Sequence, residues 1–175
     1  VCREIFLPDY FHYRKDYDQG FTDTKTYWTQ ILGSAEVELI DDLIEKLLYA
    51  DASSWTQINS KTVDYMYKLK QEGIRIALLS NINYGALAFI EKQFKFLELF
   101  DDKFYSCDMK LLKPNPKIYE EVVSSLGIDA STCLFIDDSL ENVKGARTIG
   151  MESEQFIEFE SFIKTINEKY QLISK

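Results

Sequence analysis

Short apolar runs alternate with helical segments through the last two thirds of the chain, and this alternation constrains the fold more than any other feature. The runs cover residues 74–79, 104–106 and 133–136, and residues 155–157 are expected to add an edge strand. Between the runs, apolar residues recur three and four positions apart, as in amphipathic helices. Strands that alternate with helices require crossover connections, which favour a parallel sheet with helices on both faces. The sequence therefore predicts a doubly wound, Rossmann-like α/β fold.

The first 55 or so residues lack apolar runs of this kind. Residues 25–32 and 37–48 show helical spacing instead, and residues 50–54 are interpreted as a connection. We therefore predict a small helical lobe over residues 1–55 and an α/β core over residues 56–175.

The charge balance narrows the class of partner. The chain has 29 acidic and 20 basic residues, giving a net charge of −9. Nucleic acids and anionic membrane surfaces attract basic patches, so neither is expected as the main partner. A small anionic substrate needs only a local positive site.

Three widely spaced cysteines and a single histidine argue against disulfides and zinc, and no apolar stretch approaches the roughly 20 residues of a membrane span. We expect a cytoplasmic protein and leave its oligomeric state open.

Polar residues follow the predicted strands at the points where the strands end. Ser80 and Asn81 come directly after the first strand, and Asp137 and Asp138 come directly after the third. Lys113 lies between them in the chain, just before a helix. Ligands of open parallel sheets bind beyond the carboxyl ends of the strands. We therefore expect a hydroxyl, an ammonium and two carboxylates to converge at one edge of the sheet.

Each of these residue types has a function in phosphoryl transfer. The Ser80 hydroxyl can donate to a phosphoryl oxygen, assisted by amides at the start of the next helix. Lys113 offers a compact positive charge, and Asp137 and Asp138 supply the hard oxygens that Mg²⁺ prefers. Taken singly, these residues are also typical of a helix cap, a surface lysine and carboxylates held by other donors. Their combination, each at a strand end, favours a phosphate and magnesium site.

Three stretches resemble motifs two, three and four of the haloacid dehalogenase-like hydrolase superfamily. The first is Leu79-Ser80-Asn81. The second, residues 113–119, has the sequence Lys-Pro-Asn-Pro-Lys-Ile-Tyr. The third, residues 135–146, has the sequence Phe-Ile-Asp-Asp-Ser-Leu-Glu-Asn-Val-Lys-Gly-Ala. The sequences of these motifs are most similar to those of bacterial sugar-phosphate phosphatases and of the N-terminal phosphatase domain of soluble epoxide hydrolases. More loosely, residues 10–32 resemble the helical cap of that subgroup.

This resemblance implies a Mg²⁺-dependent phosphatase that acts on a small phosphorylated metabolite through an aspartyl-phosphate. Ser80, with Asn81 beside it, and Lys113 would bind the phosphoryl group. Asp138 would be the direct Mg²⁺ ligand, and Asp137 a supporting carboxylate. Lys113, Asp137 and Asp138 are thus the catalytic candidates.

The first motif of the superfamily, an apolar strand that ends in a nucleophilic Asp-x-Asp, has no counterpart before Lys25. The segment 16–20, Asp-Tyr-Asp-Gln-Gly, contains the Asp-x-Asp sequence. It is not expected to be the nucleophile motif, because the residues before it are too polar for a central strand. We interpret Asp16 and Asp18 as solvated carboxylates before a turn. Residues 1–175 alone are therefore predicted to be inactive. The expected cause is a truncated chain or a degenerate paralogue with a repacked sheet.

The resemblance also places the first strand between the strands that end at Ser80 and Asp137. Without it, those two strands are expected either to pair directly or to leave a gap of about 9.5 Å, which is two strand spacings. A gap would deprive buried backbone groups of partners, at a cost of roughly 1–3 kcal/mol each.

Three other functions share part of this residue pattern. A catalytically inactive binding or interaction module on the same scaffold is the main alternative. A dehalogenase of the same superfamily needs no metal, so the adjacent Asp137 and Asp138 argue against it. A phosphorylation-receiver domain carries its acidic pair first and its lysine last, the reverse of the order found here. Substrate identity is not evident, since His12, Tyr13 and Trp28 either line a cavity or pack the lobe, and packing is the simpler interpretation.

Overall fold

The computed structural model describes residues 3–33, 40–54 and 56–173. Helices and strands succeed one another through these residues, which confirms the α/β class. In chain order they are α1 (Arg3–Asp18), α2 (Thr24–Gly33), α3 (Asp41–Ser53), α4 (Ser60–Gln71), β1 (Ala77–Ser80), α5 (Tyr84–Gln93), β2 (Asp102–Tyr105), α6 (Ser106–Met109), α7 (Pro116–Leu126), β3 (Leu134–Asp137), α8 (Leu140–Arg147), β4 (Glu152–Gln155) and α9 (Phe159–Lys169). Short 3₁₀ segments cover Lys95–Leu99 and Ala130–Thr132.

The chain divides into two compact units. The first comprises Val1–Gln57, Leu79–Leu97 and Tyr105–Leu112, and the second comprises Ile58–Leu78, Glu98–Phe104 and Lys113–Lys175. The helical N-terminal segment thus shares its unit with two later stretches of chain. The division into a lobe and a core near residue 55 stays a prediction.

Aromatic side chains from α1 and α2 form the core of the first unit. The rings of Tyr17 and Tyr27 stack with centroids 4.1 Å apart. Trp28 is buried beside them, so it packs the helices, whereas His12 is exposed. Burial of such rings is the largest apolar contribution that a small helical unit can make.

Helix α3 continues through Ser53, so the predicted connection over residues 50–54 is wrong. The reason is tertiary: Asp51, at a position that looks like a helix end in sequence, is buried and accepts hydrogen bonds from the Arg14 guanidinium. Residues 37–39 of the predicted helix lie outside the described residues.

The strands form two pairs. β3 and β4 run parallel, with Leu134 opposite Glu152 and Asp137 opposite Gln155. β1 pairs with β2 in a separate two-stranded sheet, so within the described residues β1 and β3 are not hydrogen-bonded neighbours. The direct pairing considered above is therefore absent. Ile136 of β3 is 40% exposed, which is unusual for an apolar residue in the middle of a parallel strand.

The core of the second unit lies between α4, α9 and β3. Tyr65, Phe162 and Ile166 are buried together, and Leu134 packs against them. Asn59 caps α4 by accepting from the Thr62 amide. Among the described helices, none has the length and apolar character that crossing a bilayer requires.

Candidate functional site

The Lys113 ammonium and the Asp137 carboxylate form a nearly buried ion pair. Lysine Nζ lies 2.6 Å from aspartate Oδ2, and the two side chains are 10% and 6% exposed. Asp137 is the last residue of β3, whereas Lys113 lies just before α7. Two of the predicted site residues therefore meet within the second unit, at the carboxyl end of a strand.

Three donors hold the Asp137 carboxylate. Oδ1 accepts from the Ser139 amide and from Asn142 Nδ2, both at 2.9 Å, while Oδ2 accepts from Lys113. Burial acts to raise the pKa of this carboxyl. The hydrogen bond and charge of Lys113, with the bonds from Asn142 and Ser139, outweigh burial and lower the pKa below its ordinary value. Asp137 is therefore held ionised and fixed in orientation.

Helix α8 approaches the Lys113-Pro114 segment closely because position 145 is glycine. A Cβ on Gly145 would lie 2.6 Å from the Pro114 carbonyl oxygen and 3.1 Å from the Tyr119 ring. The Tyr119 hydroxyl also donates to the Asn142 carbonyl at 2.9 Å. This packing ties α7 to α8 and keeps Lys113 within reach of Asp137.

Asp138 follows β3 and has an exposed side chain. Its carbonyl oxygen accepts from Gln155 Nε2 at 2.8 Å, which anchors the backbone against β4. Within the described residues, no cluster of three or more carboxylate, imidazole or thiol groups could hold a metal by itself. A cation at Asp137 and Asp138 would need ligands from outside this pair.

Ser80 and Asn81 lie at the end of β1 and belong to the first unit. Ser80 is half-buried and Asn81 is exposed. Two residues on, Asn83 caps α5: its Oδ1 accepts from the Ala86 amide at 2.9 Å. The predicted strand–loop–helix arrangement is therefore present around Ser80. That Ser80 joins Lys113 and Asp137 in one pocket stays a prediction.

The segment 16–20 is helical up to Asp18, so it is not a strand-end nucleophile loop. Asp16 is exposed on α1, as expected. Asp18, however, is not a solvated carboxylate, and that interpretation is wrong. Its side chain is 14% exposed, pairs with Arg14 at 2.9 Å and accepts from Asn83 Nδ2 at 3.1 Å.

Comparison with known families decides the class of the protein. The family model described as haloacid dehalogenase-like hydrolase matches residues 7–150. The chain belongs to this family. The matched residues cover most of both compact units. They include the three motifs at residues 79–81, 113–119 and 135–146.

The chain is also similar to individual proteins in sequence and in structure. The chain is 38% identical over 79 residues to flavin mononucleotide hydrolase 1 from Arabidopsis thaliana, covering 45% of this chain and 32% of the relative. It is 27% identical over 139 residues to a phosphatase from Mycobacterium tuberculosis, covering 78% of this chain and 64% of the relative. A family enzyme from Bacteroides thetaiotaomicron, solved with magnesium and inorganic phosphate, superposes with a TM-score of 0.71 at 23% identity, covering 93% of this chain and 91% of that one. The chain thus spans less than two thirds of the length of these curated relatives.

The polar surroundings of Asp18 were not predicted from the sequence. They comprise Arg14, Asp51, Asn83 and Ser106, which are brought together from four separate segments. The only local signal was the spacing of four residues between Arg14 and Asp18, which is typical of an ion pair on a helix.

Proposed function

We propose that this haloacid dehalogenase-like hydrolase is a Mg²⁺-dependent phosphatase that acts on a small phosphorylated metabolite through an aspartyl-phosphate. Lys113, Asp137 and Asp138 supply the charged groups of the site, and Ser80 and Asn81 bind the phosphoryl oxygens. The observation that carries the proposal is the buried pair of Lys113 and Asp137 at a strand end.

Lys113 provides the positive charge that a phosphoryl group requires. The bond from the Lys113 ammonium to Asp137 fixes the position of the charged group. In a site that excludes water, a fixed charge stabilises the transferring phosphoryl group more than a mobile one, because it needs no reorganisation.

The carboxylates divide into two kinds. Asp137 accepts three hydrogen bonds, and a carboxylate offers about four lone-pair sites, so little of its capacity is left. Asp138 is exposed and is the better direct ligand. Mg²⁺ is usually held by one or two carboxylates together with water and substrate phosphate, and these two residues fit that donor set. When bound, the ion would neutralise charge on the phosphoryl oxygens.

Ser80 and Asn81 fit the role of phosphate ligands through their position. Ser80 ends β1, Asn81 follows it, and α5 begins at Tyr84. A loop that leads into the start of a helix favours an anion. The Ser80 hydroxyl would donate to one phosphoryl oxygen, and backbone amides of the loop would donate to others.

The relatives support phosphate as the transferred group. One relative is named a flavin mononucleotide hydrolase and another a phosphatase, and the Bacteroides enzyme was solved with magnesium and inorganic phosphate. Because this chain spans only part of the curated relatives, the activity and substrate of the whole protein belong to the proposal.

The chemistry also requires a nucleophilic carboxylate. Asp16 lies exposed on α1 and not at a strand end, so it does not supply this group. We therefore expect residues 1–175 to bind phosphate without hydrolysing its esters.

The test combines binding with turnover. Calorimetric titration of residues 1–175 with inorganic phosphate in the presence of Mg²⁺ is expected to show one site. Lys113→Met and Ser80→Ala should each weaken binding about tenfold, since each removes a hydrogen bond to a charged group. An aryl phosphate should stay intact. Absence of phosphate binding by the unsubstituted chain would refute the proposal, and rapid hydrolysis abolished by Asp16→Asn would refute the statement about the nucleophile.

A further inference from the structure

Asp18, at the end of α1, is bonded to the loop that carries Ser80 and Asn81, and we propose that it is a positioning residue for phosphate binding. The proposal rests on the phosphatase function proposed above. Asp18 would fix the start of α5 so that the loop amides face the phosphoryl group.

Two separate hydrogen-bonded links join Asp18 to this loop. Through the side chain, Oδ1 of Asp18 accepts from Asn83 Nδ2 at 3.1 Å. Through the backbone, the Asp18 carbonyl oxygen accepts from the Ser106 hydroxyl at 2.6 Å, and Ser106 Oγ in turn accepts from the Ile82 amide at 2.8 Å. The two consecutive loop residues 82 and 83 are thus held by one residue of α1.

The backbone link follows from the position of Asp18 in its helix. The last carbonyl groups of a helix have no intrahelical partner and must be satisfied from outside. Ser106 does this for Asp18 and is itself fully buried. A hydroxyl can donate and accept at the same time, so Ser106 transmits the position of the α1 end to the Ile82 amide.

The side-chain link determines the orientation of Asn83. Its amide group has two ends: Oδ1 caps α5 through the Ala86 amide, and Nδ2 donates to Asp18. Asn83 is fully buried, so both ends need partners within the protein. Without the Asp18 acceptor, the buried Nδ2 group would be left to find another partner, and the cap that begins α5 would lose its fixed geometry.

Asp18 is itself held rigidly. The Arg14 guanidinium donates through Nε to both oxygens of Asp18 at 2.9 Å. Through Nη1 it donates to both oxygens of Asp51 on α3, also at 2.9 Å. Tyr10 donates to Asp51 as well. Planar guanidinium–carboxylate pairs fix geometry as well as charge. Helices α1 and α3 therefore set the position of Asp18, and Asp18 sets the position of the loop.

The same helix provides a control. Asp16 lies two residues from Asp18 with the same charge, but its side chain is exposed. An effect that came only from removing a carboxylate on α1 would appear equally at both positions, whereas positioning of the loop predicts an effect at Asp18 alone.

The experiment measures phosphate affinity and loop anchoring separately in residues 1–175. Asp18→Ala is expected to weaken the binding of inorganic phosphate about fivefold, which corresponds to one lost hydrogen bond. It should also accelerate hydrogen exchange at the Ile82 and Ala86 amides. Asp18→Asn keeps an oxygen acceptor for Asn83, so it should restore most of the affinity. Asp16→Ala should change neither quantity.

Ser106→Ala is the second variant and covers the case in which Asp18→Ala does not fold. It leaves the ion pair intact and should accelerate exchange at Ile82 while leaving α3 unchanged. A folded Asp18→Ala variant with unaltered Ile82 exchange and unaltered phosphate affinity would overturn the proposal. If the unsubstituted chain binds no phosphate, the phosphatase proposal fails, and the assignment of phosphate positioning to Asp18 fails with it. The exchange rates then still show whether Asp18 anchors the loop.

Discussion

Lys113 Nζ and Asp137 Oδ2 are 2.6 Å apart in nearly complete burial. Removing charged groups from water is costly, and a buried pair is kept only where geometry and further hydrogen bonds compensate. Asn142 and the Ser139 amide provide those further bonds to Asp137. The arrangement therefore concentrates three donors on one carboxylate at the end of β3, where we propose that the substrate phosphate binds.

Replacing Lys113 with methionine should destabilise the fold substantially. The variant leaves Asp137 buried without its positive partner, and breaking such a pair costs roughly 3–5 kcal/mol. Urea denaturation measures the loss. The matched control is Lys61→Met, because Lys61 pairs with Glu160 in the same unit with both side chains more than 60% exposed. An exposed pair contributes little to stability, because water and salt screen it. Equal losses in the two variants would show that the Lys113 pair is solvated.

We expect the fold to lose stability at acidic pH as Asp137 becomes protonated. In the folded protein the pKa of Asp137 is lowered below its ordinary value. In the unfolded chain an aspartate has a pKa of about 3.9. The ionised group therefore contributes stability above about pH 4, and this contribution is lost as the pH falls toward the folded pKa. In urea titrations, Asp137→Asn should be less stable than the unsubstituted chain at neutral pH, and the two should converge below about pH 4. A difference that does not depend on pH would contradict the assignment.

Asp138→Asn should weaken Mg²⁺ binding without affecting the fold. Asp138 is exposed and its carboxylate is the proposed direct ligand, so we expect a loss of about tenfold in Mg²⁺ affinity in the presence of phosphate. Calorimetry measures the affinity, and thermal unfolding monitors the fold. Asp129→Asn is the control, since Asp129 is an exposed carboxylate of the same unit. Identical Mg²⁺ affinities in the two variants would remove Asp138 from the site.

Gly145→Ala should destabilise the second unit by about 1–3 kcal/mol, because the new methyl group would meet the Pro114 backbone at 2.6 Å. Alanine normally favours a helix over glycine by about 1 kcal/mol, so a stabilised variant would show that the backbone yields easily. The control is Gly33→Ala at the end of α2, where a Cβ meets no atom of the described residues within 4 Å. Chemical denaturation of both variants distinguishes the effects of close packing from those of helix propensity.

The sequence predicts elements well where the determining contacts are local. The helix expected just after Lys113 is α7, and its signals are adjacent in the chain: Asn115 caps it, Pro116 begins it and Gly127 ends it in the left-handed region. The predicted strand over residues 74–79 instead begins at Ala77. The Ile74 amide donates to the Leu69 carbonyl and so completes the end of α4, which an apolar run does not reveal.

Long-range contacts account for what the sequence did not predict. Asp51 lies 37 residues from Arg14, and its burial in that ion pair keeps α3 helical past the expected end. Asn83 lies 65 residues from Asp18, so the link between α1 and the Ser80 loop has no signal in either segment alone. The meeting of Lys113 with Asp137 was predicted because parallel strands bring their carboxyl ends to one edge.

The central claim is that Ser80, Asn81, Lys113 and the carboxylates at 137 and 138 hold one phosphate group. The most direct test is an NMR titration of residues 1–175 with inorganic phosphate in the presence of Mg²⁺. We predict that the amide signals of Ser80 and Asn81 shift together with those of Asp138 and Ser139 and give a single dissociation constant. Shifts confined to one of the two groups, or two unrelated dissociation constants, would contradict the claim.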